Sequence, residues 1–261
     1  VMTPDMLNRH GIVPESGVLG DIRTLPLYGT GDQANGYPYT KWCAERMVFE
    51  AGRSGLQVFV HRAGLIGGES KTGALAEDVF FHFLSDVVKL RELPDMEGDK
   101  FNITPVDWVA KAIVHVGTSP SFSHYAGSAI HPAASKNTVT TVQLAEVLNA
   151  AGYSGLKWVD FWEWRAKVVA DPENFKSWSF CAALTAEGSG IDSMASNSVG
   201  GRAMRAAVGE DVDRLDPRKS IERMLRYCQE KGLLPLPQDQ SGNSGVQQRG
   251  RDAARPLLGE P

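Results

Sequence analysis

The stretch GYPYTKWCAE, residues 36–45, predicts the start of a helix. Pro38 suits the first turn of a helix, where its missing N–H leaves no hydrogen bond unmade. Tyr37 and Lys41 are four residues apart, so a helix places them on one face, about one turn from each other. Tyr39 lies two positions after Tyr37 and therefore points to a different side.

A tyrosine and a lysine in this arrangement form an acid suited to carbonyl reduction. A free phenol has a pKa of about 10 and is a weak acid at neutral pH. A neighbouring ammonium stabilises the phenolate and lowers that pKa, which favours proton transfer to a carbonyl oxygen while hydride arrives at carbon. Because the Tyr-x-x-x-Lys spacing also occurs by chance on surface helices, the surrounding pattern has to decide its meaning.

That surrounding pattern alternates helices with short, apolar strands. The first helix runs to about Gly52 and leads into a β-rich run at residues 57–62, then into the glycine-rich turn of residues 63–68. Such a turn lets a flat ring lie against backbone. Apolar residues recurring every four positions over residues 73–90 predict an amphipathic helix. We further expect strands at residues 101–106, 124–130 and 156–161, and helices at 106–116, 140–151, 161–169, 178–184 and 217–232, which together indicate an α/β protein.

The overall composition excludes several other classes of protein. The 261 residues are 42% hydrophobic and 22% charged, as in an ordinary globular protein. A net charge of −4 provides no basic surface for nucleic acid or an anionic membrane, and no apolar run approaches the length of a membrane span. Three cysteines without close spacing argue against a disulfide framework or a metal site and favour a cytoplasmic setting.

Four motifs follow one another in order along residues 36–165. They read GYPYTKWCAE at 36–45, RAGLIGGESKTG at 62–73, TPVDWVA at 104–110 and DFWEWR at 160–165. Their order and spacing resemble the thioester reductase domains that terminate nonribosomal peptide and polyketide synthases. The same signature marks carboxylic acid reductases and aminoadipate reductases.

The resemblance implies an extended short-chain dehydrogenase fold, here a partial Rossmann-like domain with a mostly helical C-terminal subdomain. It implies NADPH-dependent reduction of an acyl thioester, or of an activated carboxylate, to an aldehyde or alcohol. The acyl group would arrive on the phosphopantetheine arm of a carrier protein. Tyr37 would donate the proton. Lys41 would lower the pKa of the Tyr37 phenol and hold the nicotinamide ribose, and Thr3 would be the third catalytic residue. The implied cofactor-binding residues are Tyr37, Lys41, Arg62, Gly64, Leu65 and Ile66.

The family's opening motif, Thr-Gly-x-x-Gly-x-x-Gly, has no counterpart in this sequence. Those glycines let the backbone approach the cofactor pyrophosphate at a helix N-terminus. We therefore expect a fragment that needs the missing N-terminal, nucleotide-binding half of the domain, about 130 to 150 residues. The expected organisation is the C-terminal part of the Rossmann-like domain at 1–135, an interleaved substrate-binding subdomain at 136–235 and a disordered tail at 236–261.

Two other functions are compatible with the same residues. A nucleotide-sugar epimerase or dehydratase shares Tyr-x-x-x-Lys and the extended fold, although the Trp42-x-Ala44-Glu45 feature favours the reductase. A non-catalytic remnant that only docks a carrier protein is the other alternative, and the absent phosphate loop favours it.

The remaining conspicuous residues are expected to be structural. We expect Trp158, Trp162 and Trp164 in the core of the subdomain rather than along a channel for the pantetheine arm. Asp107 is expected to cap a helix. Two of the cysteines, Cys181 and Cys228, are expected to be buried as small hydrophobic residues.

Overall fold

The computed structural model describes residues 15, 19–21, 23, 36–96, 100–120, 122–133, 138–183 and 202–237. Within these residues the helices are α1 (Gly36–Arg53), α2 (Val79–Leu90), α3 (Val106–Thr118), α4 (Thr141–Ala150), α5 (Phe161–Ala170), α6 (Trp178–Ala183), α7 (Arg202–Val208), α8 (Asp211–Arg214) and α9 (Pro217–Glu230). The strands are β1 (Val60–His61), β2 (Leu65–Gly67), β3 (Glu92–Asp95), β4 (Lys100–Phe101), β5 (Ile103–Pro105), β6 (Ala129–Ile130), β7 (Val139–Thr140) and β8 (Lys157–Asp160). This mixture confirms the α/β class.

The strands pair in twos, and most of the pairs are parallel. β1 lies parallel to β6, β2 to β5 and β3 to β8, whereas β4 runs antiparallel to β7. In the β2–β5 pair, Leu65 lies beside Ile103 and Ile66 beside Thr104. Because parallel strands end on the same side, the turn after β2 and the start of α3 after β5 lie together at one edge.

The main hydrophobic core lies around α2. Phe81 of α2 is fully buried, as are Leu148 of α4, Trp164 of α5 and Met224 of α9, and all four belong to one cluster. Burying side chains of this size is the dominant favourable term in folding. The cluster combines residues from both sides of position 135, so the two expected units share a core, and the boundary between them stays a prediction.

Several elements are shorter than the sequence pattern predicts. The strand expected over 124–130 is reduced to Ala129–Ile130, preceded by a short 3₁₀ helix at Phe122–His124. The helix expected over 73–90 begins at Val79, because the Asp78 carboxylate accepts hydrogen bonds of 3.0 Å from the N–H groups of Phe80 and Phe81 and so caps it. The preceding apolar residues belong to a loop. The strand expected over 57–62 is reduced to Val60–His61.

The expected structural roles hold for some of the aromatic and sulfur-containing residues. Cys181 and Cys228 are buried, as expected, and burial raises the pKa of each thiol to about 11. Trp164 is a core residue as expected, but Trp158 is 45% exposed. Over the described ranges, no helix combines the length and apolar character needed to cross a membrane.

Candidate functional site

Helix α1 carries one stripe of side chains from solvent into the protein. Tyr37, Lys41, Glu45 and Phe49 recur every four residues and therefore share a face. Tyr37 is 76% exposed and Lys41 is also exposed, whereas Glu45 is 5% exposed and Phe49 is buried. The second half of the stripe anchors the helix, and the first half presents a phenol and an ammonium to solvent.

The structure brings Tyr37 and Lys41 together. The Lys41 ammonium lies over the phenol ring, with Nζ 5.6 Å from the ring centroid. This is a cation–π contact, which places a positive charge next to the phenol without burying either group. The Thr40 hydroxyl donates to the Tyr37 carbonyl oxygen over 2.8 Å within the same turn. The catalytic roles of Tyr37 and Lys41 stay predictions, and Thr3 lies outside the described residues.

Arg62 has a structural partner that the sequence interpretation did not identify. Its guanidinium donates from Nε to the Glu45 carboxylate over 2.9 Å, with a second contact from Nη2 to the same oxygen. Both side chains are only 3% exposed. The signal for this pair was present in the motif, since Glu45 lies eight residues after Tyr37 on the same helix face. The predicted role of Arg62 in cofactor binding remains untested.

A fully buried histidine lies close to the same pair. His131 follows β6, and burial, followed by the nearby Arg62 charge, lowers the pKa of its imidazole to about 4. Among the described residues neither of its ring nitrogens has a hydrogen-bond partner, although its backbone N–H donates to the Glu15 carboxylate over 3.0 Å. The region around Arg62 is therefore buried and contains a neutral imidazole at neutral pH.

The segment predicted to be a glycine-rich turn is mostly strand, because Leu65–Gly67 form β2 and pair with β5. This predicted cofactor-binding segment borders a cavity. Gly64, Leu65 and Ile66 are all partly exposed. A cavity of about 270 Å³ opens at the carboxyl ends of β2 and β5, where open α/β sheets generally bind ligands. It is lined by Ile66, Gly67, Ala74, Leu75, Ala76, Asp78 and Val106. Its lining is mainly apolar, because the Asp78 carboxylate is already engaged by the N-terminus of α2.

The loop between β2 and α2 is held by side chains from the second and third motifs. The Asp107 carboxylate accepts hydrogen bonds of 2.8 Å from both the N–H and the hydroxyl of Ser70. Asp107 lies in the first turn of α3 and binds this loop, so the expectation that it caps a helix is wrong. Gly73 has φ of +75° and approaches the backbone of α9 so closely that a Cβ would lie 2.3 Å from the carbonyl of Arg223.

These residues fit the nicotinamide end of a dinucleotide. Gly64 and the start of strand β2 lie beside a cavity, and Tyr37 and Lys41 are exposed rather than engaged in the core. Within the residues that the structure describes, no glycine-rich loop joins a strand to a helix N-terminus in the way a pyrophosphate requires. Over the same residues, no group of three or more His, Cys, Asp or Glu side chains is placed to hold a metal ion.

Comparison with known proteins identifies relatives for most of this region. The NAD-binding domain family described as male sterility protein matches residues 21–113. A glycine betaine reductase from Emericella nidulans is 34% identical over 169 residues, which are 61% of this chain and 13% of that protein. The large subunit of an L-2-aminoadipate reductase from Eremothecium gossypii is 40% identical over 89 residues, which are 34% of this chain and 6% of that protein.

Solved structures share the fold. The terminal R domain from the myxalamid polyketide and nonribosomal peptide pathway has a TM-score of 0.62 at 24% identity, over 78% of this chain and 52% of that domain. The reductase domain of a nonribosomal peptide synthetase from Mycobacterium tuberculosis has a TM-score of 0.52 at 25% identity, over 76% of this chain and 52% of that domain. The chain therefore spans about half of these solved domains and a small part of the relatives it matches.

The comparisons confirm the resemblance that the four motifs indicated. The relatives and solved neighbours are reductases or their domains, and the fold is that of a Rossmann-like reductase domain. The family that matches residues 21–113 is one of NAD-binding domains.

Proposed function

We propose, from its likeness to the terminal reductase domains of nonribosomal peptide and polyketide synthases, that this chain is the catalytic and substrate-binding part of an NADPH-dependent thioester reductase. The observation that carries the proposal is the exposed Tyr37 phenol with the Lys41 ammonium over its ring. Both residues lie on α1, which is followed along the chain by β1 and then by the Gly64–Ile66 segment. The substrate would be an acyl thioester on the phosphopantetheine arm of a carrier protein.

The proposed chemistry assigns one role to each group. A reduced nicotinamide, held beside Lys41, would supply a hydride to the thioester carbonyl carbon. Tyr37 donates its proton to the carbonyl oxygen, and collapse of the resulting hemithioacetal releases the thiol and leaves an aldehyde. Lys41 keeps a positive charge beside the phenol and favours the phenolate that remains after proton transfer. Reduction of the aldehyde to the alcohol would need a second reduced nicotinamide and reprotonation of Tyr37 from solvent.

The proposal also names the parts of the cofactor that each segment would hold. Backbone at Gly64, Leu65 and Ile66 would bind the nicotinamide, with Lys41 on the ribose. The pyrophosphate would be held by a nucleotide-binding N-terminal half, and this chain covers 52% of each of the two solved domains. We propose that turnover requires this half.

The test is NADPH oxidation in the presence of an acyl-pantetheine thioester, followed at the nicotinamide absorbance band. The chain is assayed by itself and joined to a nucleotide-binding N-terminal half. We expect turnover only in the joined form. Replacing Tyr37 by Phe should lower kcat about 10²- to 10⁴-fold, because it removes the general acid, while cofactor binding is retained.

Tyr39→Phe is the matched control, since Tyr39 lies on the same exposed helix but points to a different side. It should leave kcat unchanged. Unchanged rates in Tyr37→Phe would remove Tyr37 from the mechanism. Carrier-protein binding without any NADPH oxidation in the joined form would favour the non-catalytic docking remnant, and a tightly held dinucleotide that cycles without net consumption would favour the epimerase.

A further inference from the structure

The Glu45–Arg62 ion pair is the buried connection between the helix that carries Tyr37 and the segment that would hold the cofactor. Glu45 lies one helical turn after Lys41 on the same stripe of α1. Arg62 follows β1 directly and precedes Gly64 by two residues. One hydrogen-bonded contact thus joins the two segments on which the proposed chemistry depends.

Arg62 is itself fixed by the sheet. Its backbone N–H donates to the Ile130 carbonyl oxygen over 2.8 Å, which extends the β1–β6 pairing by one residue. Its guanidinium then reaches α1 through Nε, over 2.9 Å to the Glu45 carboxylate. These two contacts fix the position of Glu45 relative to the β1–β6 pair.

The surroundings make this contact strong and specific. Both side chains are 3% exposed, so water does not screen their charges, and His131 beside Arg62 is neutral at neutral pH. Two N–H groups of the Arg62 guanidinium converge on one oxygen of the Glu45 carboxylate, which fixes an orientation that a point charge would not. The first half of α1, in contrast, exposes Tyr37, Tyr39 and Lys41.

We propose that Glu45 and Arg62 are positioning residues, which set the Tyr37 phenol against the Gly64–Ile66 segment at the start of β2. This inference rests on the proposed reductase function. Neither residue touches the reacting atoms in this scheme. They act by holding α1 at a fixed rotation, because Tyr37 and Lys41 share the stripe that Glu45 anchors. Misplacement of an acid by about 1 Å is enough to lower a rate about 10²-fold.

The experiment compares Glu45→Gln with a matched variant at another buried carboxylate. Asp86 of α2 is 1% exposed and accepts hydrogen bonds from the N–H groups of Lys176 and Ser177 and from the Ser177 hydroxyl. Asp86→Asn therefore removes an equally buried charge that anchors a different loop. If Glu45→Gln does not fold, the same measurements are made on Glu45→Asp, which keeps the charge but shortens the side chain.

Two measurements are made on the joined protein: steady-state kinetics per folded molecule, and hydrogen exchange of the amides of residues 36–45. We expect Glu45→Gln to lower kcat about 10- to 100-fold, to change KM for the thioester less than about threefold, and to shift the pH at which kcat falls. We also expect faster exchange in residues 36–45. Asp86→Asn should change none of these, and Glu45→Asp should be intermediate.

Equal losses in Glu45→Gln and Asp86→Asn, with an unchanged pH profile, would show that the pair only stabilises the fold and would overturn the proposal. If the unsubstituted protein does not oxidise NADPH, the reductase function fails, and hydrogen exchange still decides the positioning claim. Faster exchange confined to residues 36–45 in Glu45→Gln supports it, and exchange equal to that of Asp86→Asn contradicts it.

Discussion

Helices α1 and α2 are held in place by different kinds of contact. α2 buries Phe80, Phe81, Phe83, Leu84, Asp86, Val87 and Val88, so apolar contact on most of its surface fixes its position. α1 leaves Tyr37 and most of its first half exposed and is anchored at Glu45 and Phe49. Of these two helices, the better packed one carries no candidate chemistry, whereas the candidate acid lies on the other. Exposure lets a side chain meet a substrate, and the ion pair supplies the orientation that packing does not.

The largest expected difference between the two helices is in stability. Phe81→Ala removes a fully buried ring from the core around α2, and we expect the free energy of unfolding to fall by about 3 to 5 kcal/mol. Tyr39→Ala on α1 removes a ring that is half exposed and should change it by less than about 1 kcal/mol. Urea denaturation of both variants measures the two values. Similar losses would contradict the contrast between the helices.

A second comparison concerns two glycines, Gly73 in the loop before α2 and Gly36 at the first position of α1. Gly73 lies in the loop before α2, and its positive φ and its contact with the α9 backbone leave no room for a methyl group. Gly73→Ala should therefore lower the free energy of unfolding by about 2 to 3 kcal/mol. A Cβ at Gly36, the first residue of α1, would have no atom within 4 Å, so Gly36→Ala should change stability by less than about 0.5 kcal/mol. A large loss in Gly36→Ala would show that the start of α1 is packed after all.

The smallest expected effect is the pH dependence of stability that comes from burial of His131 near the Glu45–Arg62 pair. The His131 pKa of about 4 lies below its unfolded value near 6.5, so the unfolded state binds a proton first as the pH falls. Stability is therefore lost below pH 6.5, and this group contributes a loss of about 2 kcal/mol between pH 7 and pH 5. We expect His131→Asn to weaken the pH dependence of unfolding by that amount.

His124→Asn is the matched control for that measurement, since His124 is exposed. Denaturant unfolding at both pH values should show the same pH dependence in this control as in the unsubstituted chain. If His131→Asn retains the full pH dependence, burial does not hold the His131 imidazole in its neutral form.

Much of the fold followed from local pattern. The four-residue periodicity placed α2, and the helix expected over 140–151 is present as α4, capped by Thr140, whose hydroxyl accepts a hydrogen bond from the N–H of Gln143 over 3.2 Å. The start of α2 could not be located in this way, because the apolar residues before Asp78 continue the helical pattern while the loop is held by distant partners. Ser70 and Asp107 are separated by 37 positions, and nothing in the local sequence signals their contact.

The candidate site divides in the same way. The sequence alone determined that Tyr37, Lys41 and Glu45 share a helix face, because helical spacing fixes that geometry wherever the helix lies. Only the tertiary structure decided that Glu45 faces Arg62 inside the protein while Tyr37 stays in solvent, since burial depends on what packs against the helix. The physical reason is that a helix is a local structure stabilised by contacts three and four residues apart, whereas an ion pair across 17 residues exists only after the strand and the helix have packed together.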